Sequence, residues 1–265
     1  MGMKRFFALM FALLLCLSGC TAPEAGTAGT SESTGTEPAA ETTLPETTAG
    51  PSSEPTEKVW TQEVHCGLKE DGTFTAGTLF IGDSLTYGFV WEYLMRYELL
   101  GEASYMAVVG APLSRFFNNQ TLGGEGAMYS SRFAGLTYSQ AVEEMGEDAT
   151  AVYFMLGTNS SDTAEADDYI EIVDFILEHC PHATVHLQTI PCSTKSTVDY
   201  ERVNSQIRLA ASHYESQGIQ RVMLVDTFLF IETNHLSDGV HLNGEGKDAW
   251  YVSLNAHKVN NNIPE

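Results

Sequence analysis

The chain has 265 residues, of which 35 are acidic and 13 are basic, so its formal net charge at pH 7 is −22. A strongly acidic chain repels phosphate, which excludes nucleic acid as a partner and disfavours anionic lipid headgroups. With 43% hydrophobic residues, the chain can bury the core of one α/β domain of about 200 residues.

The N-terminus has the pattern of a secretory signal peptide. Lys4 and Arg5 precede an apolar run at 6–17, which is short for a permanent membrane span. The four residues at 17–20, Leu-Ser-Gly-Cys, resemble the lipobox of bacterial lipoproteins. This resemblance implies that residues 1–19 are removed and that Cys20 is acylated as a membrane anchor. An ordinary signal peptide with an incidental cysteine is the alternative.

Residues 20–58 form a second compositional segment. They are rich in Thr, Glu, Ser, Gly and Pro and contain almost no large apolar side chain, which predicts a disordered tether. The predicted domain covers 59–265 and has no second long apolar segment, so membrane attachment is expected only through the N-terminal lipid. The resulting location is extracytoplasmic and anchored to the cell membrane.

Apolar runs rich in β-branched and aromatic residues alternate with amphipathic segments through the predicted domain. This alternation predicts a mostly parallel sheet covered by helices on both faces. The predicted strands are Thr78–Gly82, Tyr105–Val109, Ala151–Leu156, Thr184–Gln188 and Arg221–Val225. The predicted helices are Tyr87–Leu100, Ser139–Met145, Ala164–His179, Asp199–Ser216 and Gly244–Lys258.

Residues suited to acyl transfer follow the strands, where open parallel sheets bind ligands. Ser84 follows the first strand as a candidate nucleophile, and His241 is a candidate base that Asp238 would orient. The side-chain amide of Asn159 and the backbone N–H groups of Gly110 and Ser84 are candidate oxyanion donors. Each residue alone has an ordinary reading as a turn, cap or surface residue.

The order of these motifs resembles the SGNH hydrolases, also called the GDSL esterase/lipase family. Gly-Asp-Ser-Leu at 82–85, Gly110, Gly-Thr-Asn at 157–159 and Asp-Gly-Val-His at 238–241 match the four blocks of that family. The resemblance covers roughly 78–255. It implies a flavodoxin-like three-layer α/β/α sandwich with a five-stranded sheet, the triad Ser84–His241–Asp238 and an oxyanion hole of Ser84, Gly110 and Asn159.

Two departures from the family pattern stand out. Ser160 occupies the position where the third block usually has aspartate, and the residues before Gly110 are apolar where the family is more polar. His235 is a rival base three positions before Asp238, but the family order, Asp then His, favours His241.

The leading hypothesis is a serine esterase that hydrolyses small O-acyl esters, above all acetyl esters on carbohydrate or cell-wall glycan. An acyltransferase on a cell-wall polymer, a lysophospholipase or thioesterase, and a solute-binding lipoprotein are the alternatives. Candidate substrate contacts are Asp83, Arg115 and Phe116, the last two in the long 111–138 segment. No cofactor or metal is expected, and Cys66, Cys180 and Cys192 leave one disulfide of undetermined partners open.

Overall fold

The computed structural model describes residues 63–264, which fall within the predicted domain. The predicted signal peptide, the tether and Cys20 lie outside the described residues. Within 63–264, six strands form one sheet: β1 (Thr78–Gly82), β2 (Ser104–Val108), β3 (Ala127–Tyr129), β4 (Ala151–Met155), β5 (Thr184–Gln188) and β6 (Val222–Val225). The helices are α1 (Ser84–Phe89), continued by a π-helical segment Val90–Leu94, α2 (Tyr138–Met145), α3 (Ala166–His179), α4 (Tyr200–Ser216) and α5 (Gly244–Asn260).

The strand order in the sheet is β3-β2-β1-β4-β5-β6. All neighbouring pairs are parallel except β2 and β3, which are antiparallel. The predicted class, a mostly parallel α/β/α sandwich, is therefore confirmed, but the predicted count of five strands is wrong. The additional strand, β3, is a three-residue edge strand inside the 111–138 segment. It is too short to show a periodic pattern from which it could be predicted.

The sheet is covered on both faces. Every residue of β1, β4 and β5 is buried, which a parallel strand requires when helices lie above and below it. Helix α3 contacts α2 and α4, whereas α5 contacts the π-helical segment after α1. Within 63–264 no helix is long and apolar enough to cross a membrane.

Aromatic packing fixes the first and last helices to each other. Trp250 of α5 stacks on Phe89 of α1 with ring centroids 4.3 Å apart. The Trp250 indole N–H also donates to the side chain of Gln188 at the end of β5, over 2.8 Å. Because α1 begins at Ser84 and α5 begins three residues after His241, this packing sets the distance between the two site-bearing loops.

The carboxyl end of β1 is the topological switch point of the sheet. Strand β1 lies between β2 and β4, and the chain continues outward from it in both directions. Open parallel sheets bind ligands in the crevice beyond such a point. The residue two positions after β1 is Ser84.

Candidate active site

Ser84 lies at the first position of α1, and the preceding Asp83 is the N-cap. One carboxylate oxygen of Asp83 accepts a hydrogen bond from the backbone N–H of Leu85 at 2.9 Å. This cap satisfies one of the N–H groups that a helix start leaves without a partner, and it fixes the turn that presents the serine hydroxyl. The hydroxyl of Tyr138 donates to the carbonyl of Gly82 at 2.7 Å and holds the end of β1 in place.

The structure brings Ser84, His241 and Asp238 into one hydrogen-bonded row. The Nε2 atom of His241 lies 3.0 Å from Ser84 Oγ, and its Nδ1 atom lies 2.8 Å from a carboxylate oxygen of Asp238. Since a carboxylate only accepts, Nδ1 carries the proton and the free lone pair of Nε2 faces the serine. The row therefore has the geometry of a nucleophile, a base and a group that orients the base.

Asp238 is held by its own loop as well as by the imidazole. Its other carboxylate oxygen accepts from the backbone N–H groups of Val240 at 3.0 Å and His241 at 2.8 Å. The hydrogen bond from the His241 side chain, followed by these two backbone hydrogen bonds, holds the pKa of Asp238 well below its ordinary value. The carboxylate thus stays ionised beside the imidazole at neutral pH.

The rival base does not reach the serine. The Nδ1 atom of His235 accepts a hydrogen bond from the backbone N–H of Glu232 at 3.1 Å. The imidazole next to Ser84 belongs to His241. The structure therefore places His241, not His235, in the position of a base.

Asn159 lies next to the helix cap. Its side-chain amide donates to the second carboxylate oxygen of Asp83 and to the carbonyl of Ala111, both at 3.2 Å. The loop that carries it begins at Gly157, where φ is +143° and an added Cβ would lie 2.5 Å from the Tyr169 hydroxyl. Only glycine fits that backbone, and the turn it permits directs the Asn159 amide toward Asp83.

Gly110 lies two residues beyond β2 with φ at +72°. Its neighbour Val109 lines the same pocket as Ser84 and His241, so the second predicted block reaches the mouth of the site. An added Cβ at Gly110 would meet no atom within 4 Å, so its surroundings are open. Position and backbone conformation agree with the predicted role, which is to present an N–H without an obstructing side chain.

Ser160 has a definite structural role at the position where the family usually has aspartate. Its hydroxyl accepts a hydrogen bond from the backbone N–H of Leu113 at 2.8 Å. This contact ties the loop after Gly110 to the loop that carries Asn159. The Ser160 hydroxyl thus links the loop after Gly110 to the Asn159 loop through a neutral group.

Two of the predicted substrate contacts are wrong. Phe116 is fully buried and packs against Phe154 and Phe175, because the short helical turn that carries it directs the ring into the core. Asp83 is also fully buried and is occupied by Leu85 and Asn159, so it supports the site from beneath.

Burial affects the Asp83 carboxyl strongly. Desolvation raises its pKa to about 6, against the opposing effects of the Leu85 N–H, the Thr158 hydroxyl and the charge of His241.

The third predicted contact, Arg115, donates to Gln120 at 2.8 Å and to the carbonyl of Thr121 at 3.4 Å. It braces its own loop and lines neither of the pockets described next.

Two pockets flank the site. The first, of about 290 Å³, lies beside the serine and the imidazole, and its lining includes Tyr87, Glu92, Val109 and Lys247. The second, of about 500 Å³, lies on the Asn159 side and is lined in part by Phe117 and Asp168. Sequence reasoning missed Glu92 and Lys247, because isolated charges within helical segments are ordinary surface features.

Cys66, Cys180 and Cys192 line neither of the two pockets beside the site. No disulfide joins Cys66, Cys180 and Cys192 to one another, and all three are buried. Within residues 63–264 no group of three or more His, Cys, Asp or Glu side chains is placed to hold a metal ion.

Comparison with known proteins identifies the family of the chain. The profile of the GDSL-like lipase/acylhydrolase family matches residues 80–249, more than half of the chain. The chain belongs to the GDSL-like lipase/acylhydrolase family. As a GDSL protein it is a serine ester hydrolase, and its substrate is an acyl ester. No curated protein sequence is significantly similar to it.

Several solved structures resemble this GDSL protein at low identity. A family 3 carbohydrate esterase from Talaromyces cellulolyticus is 18% identical, with a TM-score of 0.48 over 69% of this chain and 96% of that chain. A GDSL-like lipase from Bacteroides thetaiotaomicron is 14% identical, with a TM-score of 0.49 over 69% of this chain and 88% of that chain. A family 3 carbohydrate esterase from Clostridium thermocellum is 11% identical, with a TM-score of 0.47 over 69% of this chain and 94% of that chain.

Proposed function

We propose that the chain is a membrane-tethered, extracytoplasmic serine esterase that removes small O-acyl groups, above all acetyl groups, from carbohydrate. The observation that carries the catalytic part is the row in which His241 lies 3.0 Å from the Ser84 hydroxyl and 2.8 Å from Asp238. A serine hydroxyl is a weak nucleophile at neutral pH, and a neighbouring base oriented by a carboxylate is what activates it.

In the acylation half of the proposed reaction, Ser84 Oγ attacks the ester carbonyl carbon while Nε2 of His241 takes the hydroxyl proton. The carbonyl π electrons move to oxygen and form a tetrahedral oxyanion. Collapse of that intermediate breaks the bond to the leaving alcohol, whose oxygen receives the proton from Nε2. Asp238 remains ionised and stabilises the imidazolium that forms between the two transfers.

In the deacylation half, His241 takes a proton from water, and the resulting nucleophile attacks the acyl-serine carbonyl. The second tetrahedral intermediate collapses to the carboxylic acid, and the proton returns from Nε2 to Ser84 Oγ. Each cycle thus consumes one ester and one water and releases one alcohol and one acid. No group beyond the described residues and water is needed for the balance.

In both halves of the reaction, the oxyanion would accept hydrogen bonds from the backbone N–H groups of Ser84 and Gly110 and from the side-chain amide of Asn159. The Asn159 amide contacts Asp83 and Ala111 at 3.2 Å, longer than a usual N–H···O bond. An oxyanion is a stronger acceptor than the neutral Ala111 carbonyl, so it would replace that contact while the one to Asp83 persists.

The volume of the pocket beside Ser84 supports a small substrate. The pocket beside Ser84 and His241 has a volume of about 290 Å³. This is just below the range of about 300–1,000 Å³ that is usual for small-molecule sites. A short acyl group with one sugar unit suits such a space better than a long lipid chain does.

The N-terminal sequence supports the proposed location. The basic residues, the apolar run at 6–17 and the Leu-Ser-Gly-Cys sequence at 17–20 are the features of an exported, lipid-anchored chain. The polar segment up to 58 would hold the esterase away from the membrane surface. Replacing Cys20→Ser should release the protein from the membrane fraction and abolish its labelling by a fatty-acid probe. Retention of both properties would overturn the anchoring.

The esterase proposal is tested with the mature chain on p-nitrophenyl acetate, butyrate and octanoate. We expect the highest kcat/KM on acetate and a loss of on the order of 10⁴-fold or more in Ser84→Ala. Ser216→Ala, at the exposed end of α4, is the matched serine control and should retain full activity. Equal activity of Ser84→Ala and the parent chain would overturn the proposal. Preferential transfer of acetyl to an added glycan, instead of to water, would replace hydrolysis with acyl transfer.

A further inference from the structure

An ion pair forms one wall of the pocket beside Ser84. Lys247, in the first turn of α5, contacts the carboxylate of Glu92 in the π-helical segment, and both residues line the pocket that contains Ser84 and His241. The Lys247 side chain is only 10% exposed, whereas that of Glu92 is 56% exposed. The ammonium is thus held in the pocket wall, and the carboxylate remains open to the pocket.

Stability does not account for this lysine. An ion pair with a half-exposed partner such as Glu92 contributes only about 0–1 kcal/mol to stability, which is a weak reason to bury a lysine. Its aliphatic stem passes close to Gly88, where an added Cβ would lie 3.5 Å from the Lys247 Cε atom. A charged group that is nine-tenths buried in a pocket wall, with its partner carboxylate open to the same pocket, indicates a binding role.

The pair lies on the side of the site where the alcohol part of an ester belongs. His241 returns the proton to the leaving alcohol oxygen in the proposed reaction, so that oxygen lies near Nε2. His241 and the Glu92–Lys247 pair line the same pocket. The alcohol part therefore extends from His241 toward the pair.

The charges of the pocket favour a neutral, hydroxyl-rich group. Among the described residues that line it, Glu92 and Asp238 are acidic and Lys247 is basic. Because Glu92 already neutralises Lys247, an anionic group would meet a net negative wall. A sugar hydroxyl, in contrast, can donate to the open oxygen of the carboxylate and accept from the ammonium.

We propose that the Glu92–Lys247 pair binds hydroxyl groups on the alcohol part of the ester and thereby selects a neutral sugar. The inference rests on the proposed esterase function and adds the residues that recognise the substrate. It assigns selectivity to two residues that lie 155 positions apart in the chain.

The test compares two acetyl esters, an O-acetylated methyl glucoside and p-nitrophenyl acetate, which has no hydroxyl group to recognise. We expect Glu92→Gln and Lys247→Met each to lower the ratio of kcat/KM between the sugar ester and p-nitrophenyl acetate by about tenfold, the loss of one charge-assisted hydrogen bond. The matched control is Lys69→Met, which breaks the partly exposed Lys69–Glu102 pair outside the pocket, and it should leave the ratio at the parent value.

If Glu92→Gln leaves the ratio of the two kcat/KM values unchanged, the inference is overturned. This includes the case in which both kcat/KM values fall by the same factor because the pair only stabilises the fold. Glu92 is half exposed and glutamine has its shape, so this variant stays informative if Lys247→Met fails to fold. An O-acetylated methyl glucuronide, which carries a carboxylate, serves as the anionic counterpart of the glucoside. Faster hydrolysis of this glucuronide than of the glucoside by the parent chain would also overturn the inference. Absence of any Ser84-dependent hydrolysis of p-nitrophenyl acetate would instead overturn the esterase proposal itself.

Discussion

The side-chain amide of Asn159 donates over 3.2 Å to the carboxylate of Asp83, the residue that precedes Ser84 in the chain. The same carboxylate caps α1 through the N–H of Leu85. One buried acid therefore connects the turn that presents Ser84 with the loop that carries Asn159, the proposed oxyanion donor. Two loops that reach the site from different strands are held in register by a single side chain.

We predict that Asp83→Asn lowers kcat by about 10²-fold, the effect of displacing one oxyanion donor. The new side chain can still cap the helix through its carbonyl oxygen, but its NH₂ group would then face the NH₂ group of Asn159. Two donors repel, so the Asn159 amide turns away. Steady-state kinetics on p-nitrophenyl acetate measure the effect, and far-ultraviolet circular dichroism confirms the fold. A kcat within twofold of the parent value would show that the contact does not position Asn159.

The same residue predicts a pH-dependent contribution to stability. Burial raises the pKa of Asp83 from 3.8 to about 6, so the folded chain binds this proton more tightly than the unfolded chain does. The stabilisation is complete below pH 3.8 and is lost as the pH rises through 6. Its full size is on the order of 3 kcal/mol.

Buried histidines oppose this trend, so the measurement has to be a difference. Burial lowers the pKa of His186 to about 3 and that of His257 to about 4, which destabilises the fold as the pH falls below 6.5. Among the pH-dependent contributions, Asp83→Asn removes that of the carboxyl and leaves those of the two histidines. The free energy of unfolding is measured in urea at pH 4 and pH 7 for the parent chain and the variant. The value for the parent minus the value for the variant should be smaller at pH 7 than at pH 4. A difference that does not vary with pH would contradict the raised pKa.

Asp238→Asn should separate catalysis from stability. The asparagine oxygen can still accept from the N–H groups of Val240 and His241, but its NH₂ group would face Nδ1 of the imidazole. The other tautomer then becomes favoured, in which Nε2 carries a proton and cannot accept one from Ser84. We expect kcat to fall by on the order of 10³–10⁴-fold.

The exposed position of Asp238 implies little cost to the free energy of unfolding. The matched control is Asp71→Asn, because Asp71 is likewise exposed and accepts hydrogen bonds from Thr73 in a turn. It should retain activity. Retention of a tenth or more of the parent kcat by Asp238→Asn would show that the carboxylate does not orient the base.

Local patterns in the sequence predicted most of the fold. The bounds predicted for β1 and β5 coincide with those observed, because each is a short apolar run that is buried on both faces. Helix α3 buries residues that recur at the 3.6-residue period of a helix and so lie on one face: Tyr169, Ile172, Val173, Ile176 and Leu177. The predicted start of α1, Tyr87, lies three residues after the observed start, Ser84, because Gly, Asp and Ser are residues typical of turns.

Features that depend on distant contacts could not be predicted. Strand β3 has three residues and exists through its pairing with β2. Of the adjacent Phe116 and Phe117, the first is buried and the second exposed, and only the short helical turn around them decides which. The motif residues Ser84, Asp238 and His241 were predictable because family motifs mark them, whereas the Glu92–Lys247 pair follows no local pattern.

Ser160→Ala tests whether the polar link between the two oxyanion loops matters for catalysis. The substitution leaves the backbone N–H of the buried Leu113 without its acceptor, which costs about 1–3 kcal/mol. For a domain of about 200 residues this lowers Tm by roughly 2–12 °C. Because Leu113 follows Gly110 by three residues, the freed loop also displaces the Gly110 N–H, and kcat should fall more than the change in stability alone explains.

The adjacent Ser161→Ala is the matched control. Ser161 is equally buried, but its hydroxyl donates to the carbonyl of Thr197, away from the Gly110 loop. Differential scanning calorimetry should show a lower Tm in both variants, while kcat at 25 °C, where both remain folded, should decrease only in Ser160→Ala. Equal kcat values in the two variants would mean that the Ser160–Leu113 hydrogen bond contributes to folding and not to the placement of the oxyanion donors.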